Sequence, residues 1–340
     1  MFWKVSRFTA AIVFGGATSS YWNTFQSTRG NGGHDWAAYC AYKGVIDPIH
    51  IKSKTSPLHR QVFSGRYKEY TLAEIIPVSH DVALFRFLLQ HPEDEFNLKP
   101  CSTLQACFRT GTMEIEKTER FYTPVTANGT KGYFDIIVKR KKEGKMTDHL
   151  FGLHVGDTLL FRLMAFKIKY RPNRWKEVGL IAGGTGFTPM LQVIRHALTD
   201  PMEEGVIDKT KLSFLFCNRT EKHILLKGLF DKLASEHADR FRVNYVVDQA
   251  LKPAEWKGWT GYVSKEMVQK CLPPPAEGNF IMVCGPDSLL NHVAGTPMGA
   301  TECMSSGKST QPVALDANNL TVLGGVLRDC GFNGNQVFRF

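Results

Sequence analysis

No two of the chain's 8 cysteines stand in a C-x-x-C pair; they occur at positions 40, 101, 107, 217, 271, 284, 303 and 330. That spacing excludes a zinc ribbon, a covalent haem attachment and a plant-type iron–sulfur run. A chain of 340 residues has no need of a disulfide scaffold, so reduced thiols and no metal site are expected. Zinc-finger, RNA-binding and homeodomain patterns are also missing, and no nucleic-acid partner is expected. The hydrophobic fraction, 43%, suits ordinary globular cores and is too low for a polytopic membrane protein.

Acids are absent from the first 34 residues, which contain Lys4, Arg7 and Arg29 and a small, apolar run from 8 to 17 followed by Thr18, Ser19 and Ser20. Basic, Ser/Thr-rich and acid-free is the composition of a mitochondrial presequence. The apolar stretch of residues 8–22 falls short of the ~20 residues that cross a bilayer, which leaves a short anchor with Tyr21 and Trp22 at the interface as a second reading. A secretory signal is a third, disfavoured by the unpaired cysteines. The expectation is a targeting or anchoring segment over residues 1–50, with a mitochondrial, membrane-associated location.

The formal net charge is +10. Part of it lies in Lys139, Arg140, Lys141, Lys142 and Lys145, and part in Arg162, Lys167, Lys169, Arg171, Arg174 and Lys176. Solvated strand faces and a docking surface for an anionic cofactor or acidic partner both fit these runs.

Residues 65–172 read as short strands with β-branched and aromatic residues in partial alternation: 70–78, 81–89, a pair at 112–122 and 132–140 joined through Asn128-Gly129, and 159–170. They predict a small antiparallel β-barrel. The period then changes. Continuous apolar runs at 177–182, 212–217, 241–247 and 280–284 alternate with helical stretches at 189–198 and 225–237. That alternation predicts a parallel-sheet α/β domain over 176–340, with an irregular Gly/Ser/Thr/Pro-rich insertion at 295–318.

Four motifs carry chemistry. Gly183-Gly184-Thr185-Gly186, followed by Thr188 and Pro189 at the expected helix start, lies between a buried strand and a helix. Small residues there let backbone N–H groups approach a pyrophosphate, although a plain tight turn has the same composition. Arg120-Phe121-Tyr122-Thr123 closes a barrel strand, with a phosphate-pairing guanidinium and an aromatic ring on one side of it. Gly144-Lys145-Met146-Thr147 precedes a helix expected at 148–153 and offers a second phosphate cradle or an ordinary cap. Cys284-Gly285-Pro286 ends the fourth parallel strand, where ligands gather, or is simply a small-residue strand end.

Taken in this order, with Val178–Ile194, residues 218–226 (NRTEKHILL) and the ending Gln336-Val337-Phe338-Arg339-Phe340, the motifs resemble the ferredoxin-reductase-like flavoenzymes. Within these the sequence is similar to the NADH–cytochrome b5 reductase family, with an ending like that of the mitochondrial, fungal-type members. The resemblance implies a two-domain FAD- and NADH-dependent reductase passing single electrons to cytochrome b5 or a similar acidic haem protein. It implies that Arg120 binds the FAD pyrophosphate, that Tyr122 lies against the isoalloxazine, and that Thr123 and Thr188 face the flavin, Thr123 near N5. Ile137 and Lys139 contact FAD, while Lys145, Met146 and Thr147 hold its phosphates. Gly183, Gly184, Thr185 and Gly186 form the NADH pocket, with Cys284, Gly285 and Pro286 near the nicotinamide, so that Thr123 and Cys284 are the residues nearest the reacting atoms. Asp248, placed after the third α/β strand, would accept from the adenosine ribose and repel a 2′-phosphate.

The chain departs from the family in a hairpin cut to Lys141-Lys142-Glu143, in Leu163-Met164 after Phe161-Arg162, and in Asp287 where a proline is common. A reductase of the same superfamily serving a quinone, a ferric chelate or an oxygenase component is the alternative. From a different class, the shortened hairpin also suits a flavin-poor, membrane-tethered binding protein.

Overall fold

Alternate burial of large apolar residues builds the first half of the molecule. In β1 (Lys68–Pro77), Tyr70, Leu72 and Ile76 turn inward, as the two-residue period of a half-buried strand requires. The computed structural model describes residues 62–110, 116–164, 168–200, 206–296 and 323–340. With β2 (Val82–Leu88), β3 (Thr103–Thr110), β4 (Glu116–Tyr122), β5 (Tyr133–Lys139) and β6 (Thr158–Met164), β1 forms a six-stranded antiparallel sheet in the order β4-β3-β6-β1-β2-β5. In a flat sheet, β5 and β6 would lie ~14 Å apart, three steps of about 4.8 Å. Instead the rings of Phe134 on β5 and Phe161 on β6 are 5.3 Å apart. The sheet is therefore rolled into a barrel, with β4 and β5 as its two edges. Helix α1 (Lys145–Gly152) adds Met146 and Leu150 to the barrel core.

Continuous apolar runs build the second half, because strands covered by helices on both faces have no polar side. β7 (Glu177–Gly183), β8 (Lys211–Asn218), β9 (Phe241–Val247), β10 (Trp259–Thr260), β11 (Asn279–Cys284) and β12 (Val337–Arg339) make a parallel sheet in the order β10-β9-β8-β7-β11-β12. On one face, α2 (Phe187–Leu198) and α3 (Lys227–Glu236) bury Phe187, Ile194 and Phe230. On the other, α4 (Lys265–Cys271), α5 (Asp287–Ala294) and α6 (Gly325–Asp329) bury Met267, Val293 and Leu327. The chain runs outward from β7 to β10 and then returns to the far side of β7 for β11. A switch point between β7 and β11 opens a crevice at their carboxyl ends.

The described residues fall in one compact unit. Ile76, Leu84, Val125 and Ile137 of the barrel share a hydrophobic cluster with Phe187 and Leu191 of α2. The connecting segment is tied down by Asp208, which accepts hydrogen bonds from Tyr170 Oη at 2.7 Å, Asn173 N at 3.1 Å and Thr210 N at 2.9 Å. Burial by itself would raise the Asp208 carboxyl, but these donors outweigh it and hold it below its ordinary range.

Several expectations are corrected. Strands lie within the spans expected at 112–122, of which 112–115 are outside the described residues, and at 132–140, but they do not pair with each other. β4 pairs with β3, which local pattern did not mark, and β5 pairs with β2. Of the strand expected at 159–170, Thr158–Met164 is present, 165–167 lie outside the described residues and 168–170 are not in a strand. Lys145, Met146 and Thr147 do not precede their helix; they are its first turn, with Gly144 as the cap. Pro189 is the third residue of α2 rather than the first, which still falls within the turn whose N–H groups need no helical partner. The insertion expected at 295–318 lies outside the described residues apart from Gly295 and Thr296, and the targeting segment of 1–50 lies outside them entirely.

Candidate active site

The barrel side of the site is built on its open edge. Arg120 and Tyr122 on β4 stand opposite Ala106 and Leu104 on β3, and directly paired residues project to the same face. Tyr122 packs against the barrel core, and burial, opposed by nearby Arg120, pushes its hydroxyl pKa upward. Arg120 is exposed, and its Nη1 donates to its neighbour's carbonyl, Glu119 O, at 2.7 Å. The chain then leaves β4 through half-buried Thr123 and crosses to the free edge of β5. There Val125 N donates to Asp135 O at 2.9 Å, and Asp135 N donates to Thr126 Oγ1 at 2.6 Å. Residues 123–126 thus lace the gap between the barrel's two edges.

Further along β5, Ile137 is buried in the cluster shared with α2, and exposed Lys139 pairs with Asp81 at 3.3 Å. Beyond it, Arg140 lies 3.5 Å from Asp148 in the first turn of α1. Gly144 caps α1 without a side-chain bond, so first-turn N–H groups point outward beside exposed Lys145. The Met146 side chain itself is in the barrel core, leaving only its backbone for a ligand. Thr147 Oγ1 donates to Gly144 O at 2.9 Å. This donor set, a guanidinium, an ammonium and free amides, fits a pyrophosphate.

The second side is the turn from β7 into α2. Gly184, at φ +51°, has open space where a side chain would be, whereas Gly186 is pressed against the end of β11. A Cβ on Gly186 would lie 2.5 Å from Cys284 O and 2.7 Å from Gly285 N; one on Gly183 would lie 2.9 Å from Pro286 Cδ. Gly183, Gly184, Thr185 and Gly186 are thereby brought against Cys284, Gly285 and Pro286, as the parallel pairing of β7 with β11 requires. Thr188 follows in the first turn of α2 and is buried. β5 borders the Gly184–Gly186 turn, so the barrel edge faces the crevice. Asp248 stands apart from this cluster, exposed at the end of β9, where its N–H donates to Asn218 O at 2.9 Å.

Residues 69–170 match the family described as Oxidoreductase FAD-binding domain, and residues 180–295 match Oxidoreductase NAD-binding domain. An Arabidopsis thaliana protein named NADH-cytochrome b5 reductase-like protein is 32% identical over 340 residues, covering 98% of this chain and 95% of that one. NADH-cytochrome b5 reductase 2 of Scheffersomyces stipitis is 37% identical, over 77% of this chain and 80% of that one. This chain belongs to the NADH-cytochrome b5 reductase family. Among solved structures, the cytochrome b5 reductase domain of Ulva prolifera nitrate reductase superposes with a TM-score of 0.64 at 30% identity, covering 82% of this chain and 99% of that domain. The protein is an oxidoreductase that binds FAD and a nicotinamide dinucleotide.

Family membership makes sense of residues that sequence reasoning gave no role. Asn218 ends β8, next to the Cys217 that pairs with Gly183, and is only 7% exposed. Both polar atoms of its side chain are buried without a partner in the protein. A buried amide left unpaired costs on the order of 2 kcal/mol or more, so this one fits a ligand at the carboxyl edge. The local signals are that Asn218 closes a mostly apolar strand and opens the stretch 218–226 that carries the family resemblance.

Across the interface, burial followed by nearby Lys139 holds the His223 pKa below its ordinary value, with Asp81 opposing. His80, Asp81 and Lys139 of the barrel thus lie near Arg219 and His223 of the second half, a mixed-charge patch in which Lys139 is already paired with Asp81.

Proposed function

We propose that this reductase oxidises NADH through bound FAD and delivers single electrons to cytochrome b5 or a similar acidic haem protein. The observation that carries this reading is that β5, laced by the segment that leaves the R-x-Y-T strand end, borders the G-G-T-G turn where that turn rests on Cys284 and Gly285. A bound flavin supplies the chemistry: it accepts a hydride equivalent and releases electrons one at a time.

The protein's part is orientation. Arg120 pairs with the FAD pyrophosphate, and the Lys145, Met146 and Thr147 amides receive its phosphates at the start of α1. Tyr122, Thr123, Thr188, Ile137 and Lys139 would hold the isoalloxazine, Tyr122 by its ring and Thr123 and Thr188 by their hydroxyls. Gly183, Gly184, Thr185 and Gly186 admit the nucleotide backbone, and Cys284, Gly285 and Pro286 border the nicotinamide. No acid–base pair is needed, because hydride transfer requires geometry rather than proton movement. Asp248 accepts from the adenosine ribose and repels a 2′-phosphate.

Anaerobic stopped-flow mixing tests the whole reading. Flavin absorbance is expected to bleach on the order of 10-fold or more faster with NADH than with NADPH, and Asp248→Ala is expected to narrow that ratio. The reduced enzyme should then reduce cytochrome b5 at a rate that falls steeply with salt, since the chain's formal charge of +10 steers an acidic partner. Reduction of a quinone or ferric chelate in preference, with no salt dependence, would favour the alternative acceptors. A colourless protein that takes up no added FAD would end the enzyme reading.

We also propose that the acid-free residues 1–34 direct or anchor the protein to mitochondria. Among the described residues no helix is long and apolar enough to cross a membrane. A fluorescent reporter fused to residues 1–40 should collect at mitochondria; a diffuse cytosolic signal would reject the assignment.

A further inference from the structure

Helix α2 begins at the glycine turn, and a little over two turns later it carries Arg195, which is only 6% exposed. Arg195 Nη1 donates to the carbonyl of Val125, 70 residues earlier and in the other domain. Val125 is already held on its other side, where its N–H donates to Asp135 O on β5. The Asp135 carboxylate receives Arg86 Nε at 2.9 Å and Arg86 Nη2 at 3.0 Å, so the β5 end of this chain of contacts is itself fixed. A second strut lies beside it: Asn128 Nδ2 donates to Asp200 Oδ2 at 2.9 Å. Between the two struts is a cavity of about 10 Å³, lined by Thr126, Asn128, Gln192, Arg195 and Asp200, with room for about one water molecule. Arg195 Nη2 and the Gln192 side-chain amide have no protein partner there.

This is an expensive way to join two surfaces. Burial pulls the Arg195 guanidinium down to about 10, with Asp200 and Asp135 pulling the other way. Apolar residues of similar volume commonly replace a buried ionic group at no loss of stability. What an apolar residue could not do is hold a particular carbonyl in register. Val125 lies two residues beyond Thr123, and Arg195 lies nine residues beyond Gly186 on a rigid helix, roughly 14 Å along its axis.

We propose that Arg195 is a positioning residue for hydride transfer: by gripping the Val125 carbonyl it sets the separation between the Thr123 segment and the nucleotide turn. The inference rests on the function proposed above. Its distinguishing signature is a change in chemistry at constant binding, with local loosening at one place in the barrel.

The test uses the flavin-loaded full chain as wild type, Arg195→Lys and Arg195→Met. Amide hydrogen exchange across residues 122–128 is read together with the flavin bleaching rate at saturating NADH and the half-saturating NADH concentration. Arg195→Met is expected to speed exchange in 122–128 selectively and to slow bleaching by about 10- to 100-fold, the scale of an ångström-sized misplacement. Half-saturation and flavin content should stay near wild type, and Arg195→Lys should recover part of the rate. If Arg195→Met fails to fold, the same two readouts on Arg195→Lys decide the matter. Bleaching near the wild-type rate, or a loss confined to melting temperature, would overturn the proposal. If wild type does not bleach, the proposed function fails, while the exchange comparison still shows whether Arg195 holds residues 122–128.

Discussion

Gly186→Ala should slow NADH-driven flavin bleaching by about 100-fold or more while leaving the chain folded and flavin-loaded. The added Cβ would stand 2.5 Å from Cys284 O and 2.7 Å from both Cys284 C and Gly285 N. Those atoms are backbone, and the pairing of Cys284 with Ala182 prevents them from moving away on their own. Relief has to come from the glycine turn shifting off the end of β11. Overpacking of this kind costs about 1–3 kcal/mol in stability, a drop of several degrees in melting temperature for a chain of this size. Displacing the nucleotide turn from the barrel edge by an ångström is far more damaging to the rate. Gly65→Ala, where a Cβ would meet nothing within 4 Å, is the matched control and should be silent. A Gly186→Ala enzyme within about 3-fold of the wild-type rate would mean that close packing of this turn is not what orients the nicotinamide.

The second large effect falls on flavin retention. Arg120→Ala should weaken FAD binding by about 10- to 150-fold, the loss of one charge-assisted contact worth about 1.5–3 kcal/mol. The protein loses little else, because Arg120 is exposed and its guanidinium donates to the carbonyl of its own neighbour, Glu119. Melting temperature without FAD should therefore be unchanged, and the upward shift on adding FAD should shrink as mass action requires. Fluorescence-quenching titration reads the affinity directly. Arg120→Lys should restore part of it, since the charge returns without the two-pronged geometry. Unchanged FAD affinity in Arg120→Ala would remove Arg120 from the cofactor site and send the search for the pyrophosphate back to α1.

Both predictions use residues visible in the sequence, although their surroundings were not. Local composition suffices where a signal is carried by neighbours along the chain. Alternation marked β1 and β2, continuous apolar runs marked β7, β8, β9 and β11, and the G-G-T-G sequence marked the turn into α2. β3 escaped because its burial comes from β4 and β6 on either side rather than from a clean alternation of its own; even Gln105 and Thr103 are buried in it. The helix start at Lys145 escaped because Gly144, without a side-chain bond, is a weak cap to read.

The sequence alone determined the two-domain division, the order of motifs and the family, because each depends on residue types at short, fixed spacings. Tertiary structure alone decided which strands pair, that residues 123–126 lace the barrel's open edge, and that G-G-T-G rests on Cys284 and Gly285. It alone showed Asn218 with an unmet amide and Arg195 gripping Val125. These facts depend on pairings between residues tens of positions apart, and no local pattern encodes which buried polar group will find which distant partner.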